Sequence, residues 1–221
     1  MPSDNVTLQD WIAHVFDHPV TDPVWHWARD APDLDPIPEL TAQFIAETFE
    51  RAGDLLTRFS DAQLNQALYY LISAGTSDYM FALTNTRVPW PSRQRALRSF
   101  VPLFEQVMAA RCSPHLFHLN EQPANPLNAV CYMWWDVIPF HGKPQDPDRT
   151  EFDAEVLSIL VRLLAIPHDA CRESALHGLG HWQLDYPETA GKLIDEFLQR
   201  SPNLRPELLS YARQARNGAV Q

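Results

Sequence analysis

The chain has 221 residues, of which 45% are hydrophobic and 20% charged, with seven tryptophans. That composition excludes intrinsic disorder and supplies enough apolar mass for one domain or one continuous stack of helices. The formal net charge is -11, and residues 1–61 hold twelve Asp and Glu against three Arg. This balance excludes a non-specific nucleic-acid binder, whose affinity rests on neutralising phosphate, and favours an ordinary solvated acidic surface or association with a basic partner.

The first predicted helix starts near Thr7 and ends before His18-Pro19, with Leu8, Trp11, Ile12, Val15 and Phe16 at helical spacing. Residues 18–38 carry five prolines and read as a connection with a short helix through Trp25 and Trp27. A second helix spans about Pro38 to Ala52, with Leu40, Phe44, Ile45, Thr48 and Phe49 on its apolar face and Gly53 as its stop. Ser60 and Gln63 form a capping-box pattern that opens a helix to about Ser73. A short helix follows at about 77–84, and Pro89-Trp90-Pro91 interrupts the chain. Ser92 then reads as the cap of a long helix to about Cys112, which Pro102 should kink or split.

Residues 113–126 read as loop. The segment NAVCYMWWDVI, in a helix over about 126–138, is apolar nearly all round and therefore central. A polar loop over 139–150 precedes a helix at about 151–165. Three more helices are expected at about 168–183, 187–200 and 204–217, punctuated by Pro167, Pro187, Pro202 and Pro206. Their short connections predict helical hairpins. Strand signals are nearly absent, so the expected fold class is all-α, in a single domain over 1–221.

Cys112, Cys131 and Cys171 are odd in number and lack a CxxC pair, so reduced buried thiols are expected in place of disulfides. The first residues, MPSDNVTLQDW, have no signal-peptide character, and no stretch approaches the ~18 apolar residues of a spanning helix. A cytoplasmic protein with no membrane and no nucleic acid among its partners is expected.

Residues 170–182, ACRESALHGLGHW, followed by Pro187 and TAGKLIDEFLQR, resemble a HEAT or PBS-lyase-type helical repeat of the kind found in bacterial proteins. The positions that carry the resemblance are Arg172, Ala175, Leu176, Leu179, Gly180, Leu193 and Leu198. It is confined to roughly 168–200, with a faint continuation in PELLSYARQARNG. The resemblance implies stacked antiparallel hairpins over about 151–217, a HEAT-like α-α superhelix, because such a unit cannot bury its apolar face alone. It implies an interaction scaffold and no particular activity.

One constellation is a candidate for metal chemistry, although the preferred expectation is that its histidines line the inner groove of the stack and hydrogen-bond locally. Glu173, His177 and His181 recur at i, i+4, i+8 along one helix face. His-x-x-x-His chelates Zn²⁺ or Fe²⁺ through two imidazoles. Three ligands over about 12 Å of helical rise cannot all reach one ion, so His177 and His181, or Glu173 and His177, would share it. Cys112, His115 and His118 form a second, looser candidate in a loop, and His141 and His168 flank neighbouring helices. Of the adjacent Trp134 and Trp135, one should be core and the other free to reach a groove. Asp136 on that apolar helix needs a partner, for which an arginine is expected. Arg87, Arg93, Arg95 and Arg98 form the basic concentration, expected to pair with the acidic N-terminal region. No phosphate loop, dinucleotide fingerprint, nucleophile elbow or EF-hand is present.

The leading functional expectation is therefore a protein-binding scaffold, in one version an immunity- or inhibitor-type protein whose acidic face covers a basic partner. In that reading the groove is formed by Glu173, His177, His181, Trp134, Trp135 and Asp136, with no catalytic residue assigned. The alternative is a metal-binding protein or metal-dependent enzyme holding Zn or Fe on His177 and His181. A small-molecule pocket at the same residues is a third possibility.

Overall fold

The structure, a computed structural model, describes residues 4–220. Helices α1–α13 with a few tighter or wider turns make up its regular structure, with no β-strand among the described residues. No described helix is long and apolar enough to cross a membrane. Residue contacts group the chain into two compact units, one of residues up to 106 plus 137–139 and one of 107–136 plus 140 onward.

In the first unit, α1 (Leu8–Phe16) begins with a full capping box. Thr7 Oγ1 accepts from the Asp10 amide at 3.2 Å, and the Asp10 carboxylate accepts from the Thr7 amide at 3.0 Å. Trp11, Ile12, Val15 and Phe16 are buried, each such side chain contributing about 1.5–3 kcal/mol on leaving water. A single 3₁₀ turn, Trp25–Trp27, follows in the proline-rich connection. α2 (Pro38–Glu50) starts on its proline and stops at Arg51. The short α3 (Ala52–Leu55) then contains Gly53, which is thus inside a helical turn and not the stop expected of it; its amide donates to Gln106 Oε1 at 2.7 Å. α4 (Asp61–Ile72) opens with the Ser60–Gln63 capping box, as its sequence dictates.

α5 (Phe81–Thr84) is shorter than expected. α6 (Trp90–Arg98) begins at Trp90, ahead of Ser92, because Pro91 is tolerated in a first turn, where its missing N–H is not needed. The long helix expected to Cys112 is divided. α7 (Phe100–Leu103) passes into a π-helical turn, Phe104–Met108, and then α8 (Ala109–Arg111). Pro102 lies just before that wide turn, in keeping with the kink its ring imposes. α2 packs on α5, α6 and α7, and α1 on α4.

In the second unit a 3₁₀ turn, Phe117–Leu119, precedes α9 (Leu127–Val137). A further 3₁₀ turn, Pro147–Arg149, leads into α10 (Thr150–Leu164), then α11 (Asp169–Trp182), α12 (Pro187–Arg200) and α13 (Pro206–Arg216). The buried Asp153 carboxylate anchors the loop before α10. It accepts from the Lys143 amide at 2.6 Å, the Tyr186 hydroxyl at 2.8 Å and Arg149 at 3.1 Å.

α11 packs on α10, α12 and α13 and is buried along most of its length. Small residues make this possible. A Cβ at Gly178 would stand 2.7 Å from atoms of Leu160 and Trp135. One at Gly180 would stand 2.6 Å from Val220, which Gly218, at φ +70°, turns back onto α11 after α13 ends.

Candidate metal centre

α11 presents His177 and His181 on one face, one turn apart, and the last turn of α9 brings Asp136 to them. His181 Nε2 lies 3.0 Å from His177 Nε2 and 3.2 Å from Asp136 Oδ1. One ligand atom from each of the three residues lies within 4.8 Å of the others. Two ligands bound at about 2.0–2.2 Å to a common ion stand about 3–3.5 Å apart at tetrahedral or octahedral angles. The separations of 3.0 and 3.2 Å are of that size before any ion is considered.

Burial is graded across the cluster. His177 is 1% exposed, whereas the side chains of His181 and Asp136 are each 38% exposed. The ligand set is thus anchored at its base and open to solvent on one side. Burial pushes His177 down to about 3, helped by the nearby imidazoles of His181 and His118. Burial also lowers His181, against the opposing pull of the Asp136 carboxylate. Both rings are therefore neutral at pH 7, the state a metal requires of imidazole.

Behind the ligands stands a braced hydroxyl. His177 Nδ1 is 2.6 Å from Tyr211 Oη on α13, and Tyr211 Oη is 3.1 Å from Tyr132 Oη on α9. For Nε2 to face a metal as a lone pair, the His177 proton sits on Nδ1 and donates to Tyr211 Oη, which is within hydrogen-bond reach to accept it. The His118 ring stacks on Tyr211 at 4.2 Å between centroids.

Glu173 does not join the cluster. It is 1% exposed, and its carboxylate accepts from the Phe117 amide at 2.8 Å, the His118 amide at 3.1 Å and the His118 ring. Two turns of helix separate it from His181, and its own charge is consumed by capping the 117–119 turn. Asp136 meets His181 where an arginine was expected. Trp134 and Trp135 are 0% and 3% exposed, so both are core and neither reaches a groove. Trp135 fills the space over Gly178, which explains why two adjacent indoles can both be buried.

Cys112, His115 and His118 are not among the groups whose ligand atoms converge in the described residues, and the His118 ring is taken by Glu173. All three cysteines are free and buried, as their number and spacing predict. Arg95 makes a two-point ion pair with Glu50, at 2.9 and 2.7 Å, within the acidic N-terminal stretch. Arg93 is buried, donating to the Val88 carbonyl at 3.0 Å. The role of Tyr211 was not read from the sequence, and no local spacing signals it, since 34 residues separate it from His177. Compared with known proteins, the chain matches no family model, no curated protein and no solved structure.

Proposed function

We propose that the chain is a metal-dependent protein whose C-terminal unit holds one divalent transition-metal ion, zinc or iron(II), on Asp136, His177 and His181. The observation that carries this reading is the meeting of two neutral imidazoles and a carboxylate, with one ligand atom from each lying within 4.8 Å of the others. Two histidines and one carboxylate suit both ions, and three protein ligands leave positions for water or substrate, as catalytic sites require. The solvent-facing sides of His181 and Asp136 give those positions access.

His181 Nε2 lies within hydrogen-bond reach of both Asp136 and His177. Two imidazoles that are neutral at pH 7 would hold an ion without net proton loss. The test is metal analysis of protein purified without added metal, followed by titration with Zn²⁺ and Fe²⁺. One bound equivalent that is lost in His177→Gln supports the reading; less than ~0.1 equivalent, with no binding on titration, ends it.

A protein-binding scaffold is the second reading. It draws on the HEAT-like residues of α11 and α12, the packing of α10–α13 and the net charge of -11, which suits a basic partner in an immunity- or inhibitor-type role. A cytoplasmic location fits the three free thiols in either case. Recovery of a stoichiometric basic partner by pull-down would favour the scaffold over the metal reading.

A further inference from the structure

The three cysteines of the chain, far apart in sequence, meet in the C-terminal unit. Cys131 on α9 is the middle member. Its thiol contacts the thiols of Cys112, just past α8, and of Cys171 on α11. Cys131 Sγ also lies 3.7 Å from the carbonyl of Ala170, the residue before Cys171, which holds α9 against the first turn of α11. Cys131 and Cys171 are fully buried, and no disulfide joins any of the three.

His168, at the start of α11, completes the cluster. Its Nε2 donates to the Cys112 carbonyl at 3.2 Å. Its buried Nδ1 meets no oxygen or nitrogen partner, and the Cys171 side chain lies within bonding reach of the ring. The group is not a cage for an ion. Among the described residues, three ligand atoms come within 4.8 Å of one another only at Asp136, His177 and His181. What the packing provides is a pair of touching thiols on two different helices.

The two thiols of that pair are unlike. Cys131 donates to both neighbours and is fully buried, which pushes it up and keeps it a thiol. The hydrogen bond from Cys131 lowers Cys171 against the effect of burial, and His168 and Arg172 add to the lowering. The same contact raises His168. A thiolate beside a protonated thiol and an imidazolium is the pairing of a nucleophilic with a resolving cysteine.

We propose that Cys131 and Cys171 are a redox modification site, oxidised by hydrogen peroxide to a disulfide that ties α9 to α11. The Cys171 sulfur attacks one peroxide oxygen, the O–O bond breaks, and the leaving hydroxide takes a proton from His168 to become water. The sulfur is thereby oxidised to a sulfenic acid and the peroxide is reduced. The Cys131 sulfur then attacks the Cys171 sulfur. An S–S bond forms, the S–O bond breaks, and the departing hydroxide with the Cys131 proton gives a second water. Burial shields both sulfurs from bulky disulfide oxidants, while local opening admits a molecule of peroxide's size. The proposal does not depend on a metal at Asp136, His177 and His181.

The experiment exposes the full, chelator-treated chain to hydrogen peroxide or to oxidised glutathione, then counts free thiols after denaturation and maps unreduced peptides by mass spectrometry. Peroxide should take the three free thiols to one through an intramolecular Cys131–Cys171 link that dithiothreitol reverses, and oxidised glutathione should leave all three. Cys131→Ser should stop at a Cys171 sulfenic acid that dimedone labels, and Cys171→Ser should give neither link nor label. His168→Gln should slow thiol loss at least about tenfold. The proposal is overturned if all three thiols survive about 1 mM peroxide over about an hour, if the link uses Cys112 or joins two chains, if glutathione is taken up in place of the link, or if His168→Gln reacts like the parent. Should the serine variants fail to fold, the peptide map of the parent and the rate of His168→Gln decide the matter.

Discussion

Tyr211→Phe removes one oxygen atom from behind the candidate metal ligands and leaves the ring's packing in place. That oxygen is 2.6 Å from His177 Nδ1 and 3.1 Å from Tyr132 Oη, in a buried setting. Two consequences follow with different readouts. The His177 Nδ1–H loses its acceptor inside the protein, which costs about 1–3 kcal/mol of stability. The tautomer that points the Nε2 lone pair at Asp136 and His181 also loses its preference, since Nε2–H can still bond within the cluster while Nδ1–H cannot. Loss of such an orienting partner typically lowers metal affinity about 10–100-fold. Urea denaturation of the metal-free protein measures the first effect, and competitive zinc titration against a chelating dye measures the second. A drop in stability with unchanged zinc affinity would refute the argument that Tyr211 orients a ligand, and would leave it a packing residue alone.

Three further outcomes follow from other parts of the molecule. Burial, with His18 alongside, lowers His14 to about 4 from an unfolded value near 6.5. Its contribution to stability is therefore complete above pH 6.5 and is lost as pH falls through that value toward 4. The pH dependence of urea midpoints should flatten in His14→Gln over that window, and an unaltered slope would contradict the assignment. Gly178→Ala places a methyl 2.7 Å from Leu160 and Trp135, so thermal and urea unfolding should report about 1–3 kcal/mol of destabilisation. Ser60→Ala breaks the capping box of α4 and should cost about 1 kcal/mol by the same assays, with far-UV circular dichroism unchanged at low denaturant.

Where structure is local, it could be read from the sequence. The capping box at Ser60 and Gln63 depends on neighbours three residues apart, and α4 begins where that pattern stands. The apolar spacing of Trp11, Ile12, Val15 and Phe16 buries the face it predicts. The helices α10 to α13 fall close to the ranges set by their prolines and apolar repeats. Boundaries were misread where two local signals compete: Ser92 offers a cap, but Pro89 and Pro91 allow the helix to begin earlier.

The candidate site was half legible. The His177–His181 pair is a helix spacing and needs only the periodicity of α11. Asp136 and Tyr211 reach it from 41 and 34 residues away through packing, and sequence spacing carries no such information. Glu173 illustrates the converse. It lies on the same face by periodicity, yet tertiary structure offers it three donors from the 117–118 segment, and those outweigh a shared ion two turns distant.

The most direct measurement of the central claim is a titration of chelator-treated protein with Co²⁺, followed by visible absorption. The account predicts saturation at one equivalent, with d–d bands of a nitrogen–oxygen ligand set and none of the charge-transfer absorption that thiolates give, and loss of the signal in each of Asp136→Asn, His177→Gln and His181→Gln. No saturable spectrum, or one that persists unchanged in all three folded variants, would contradict it.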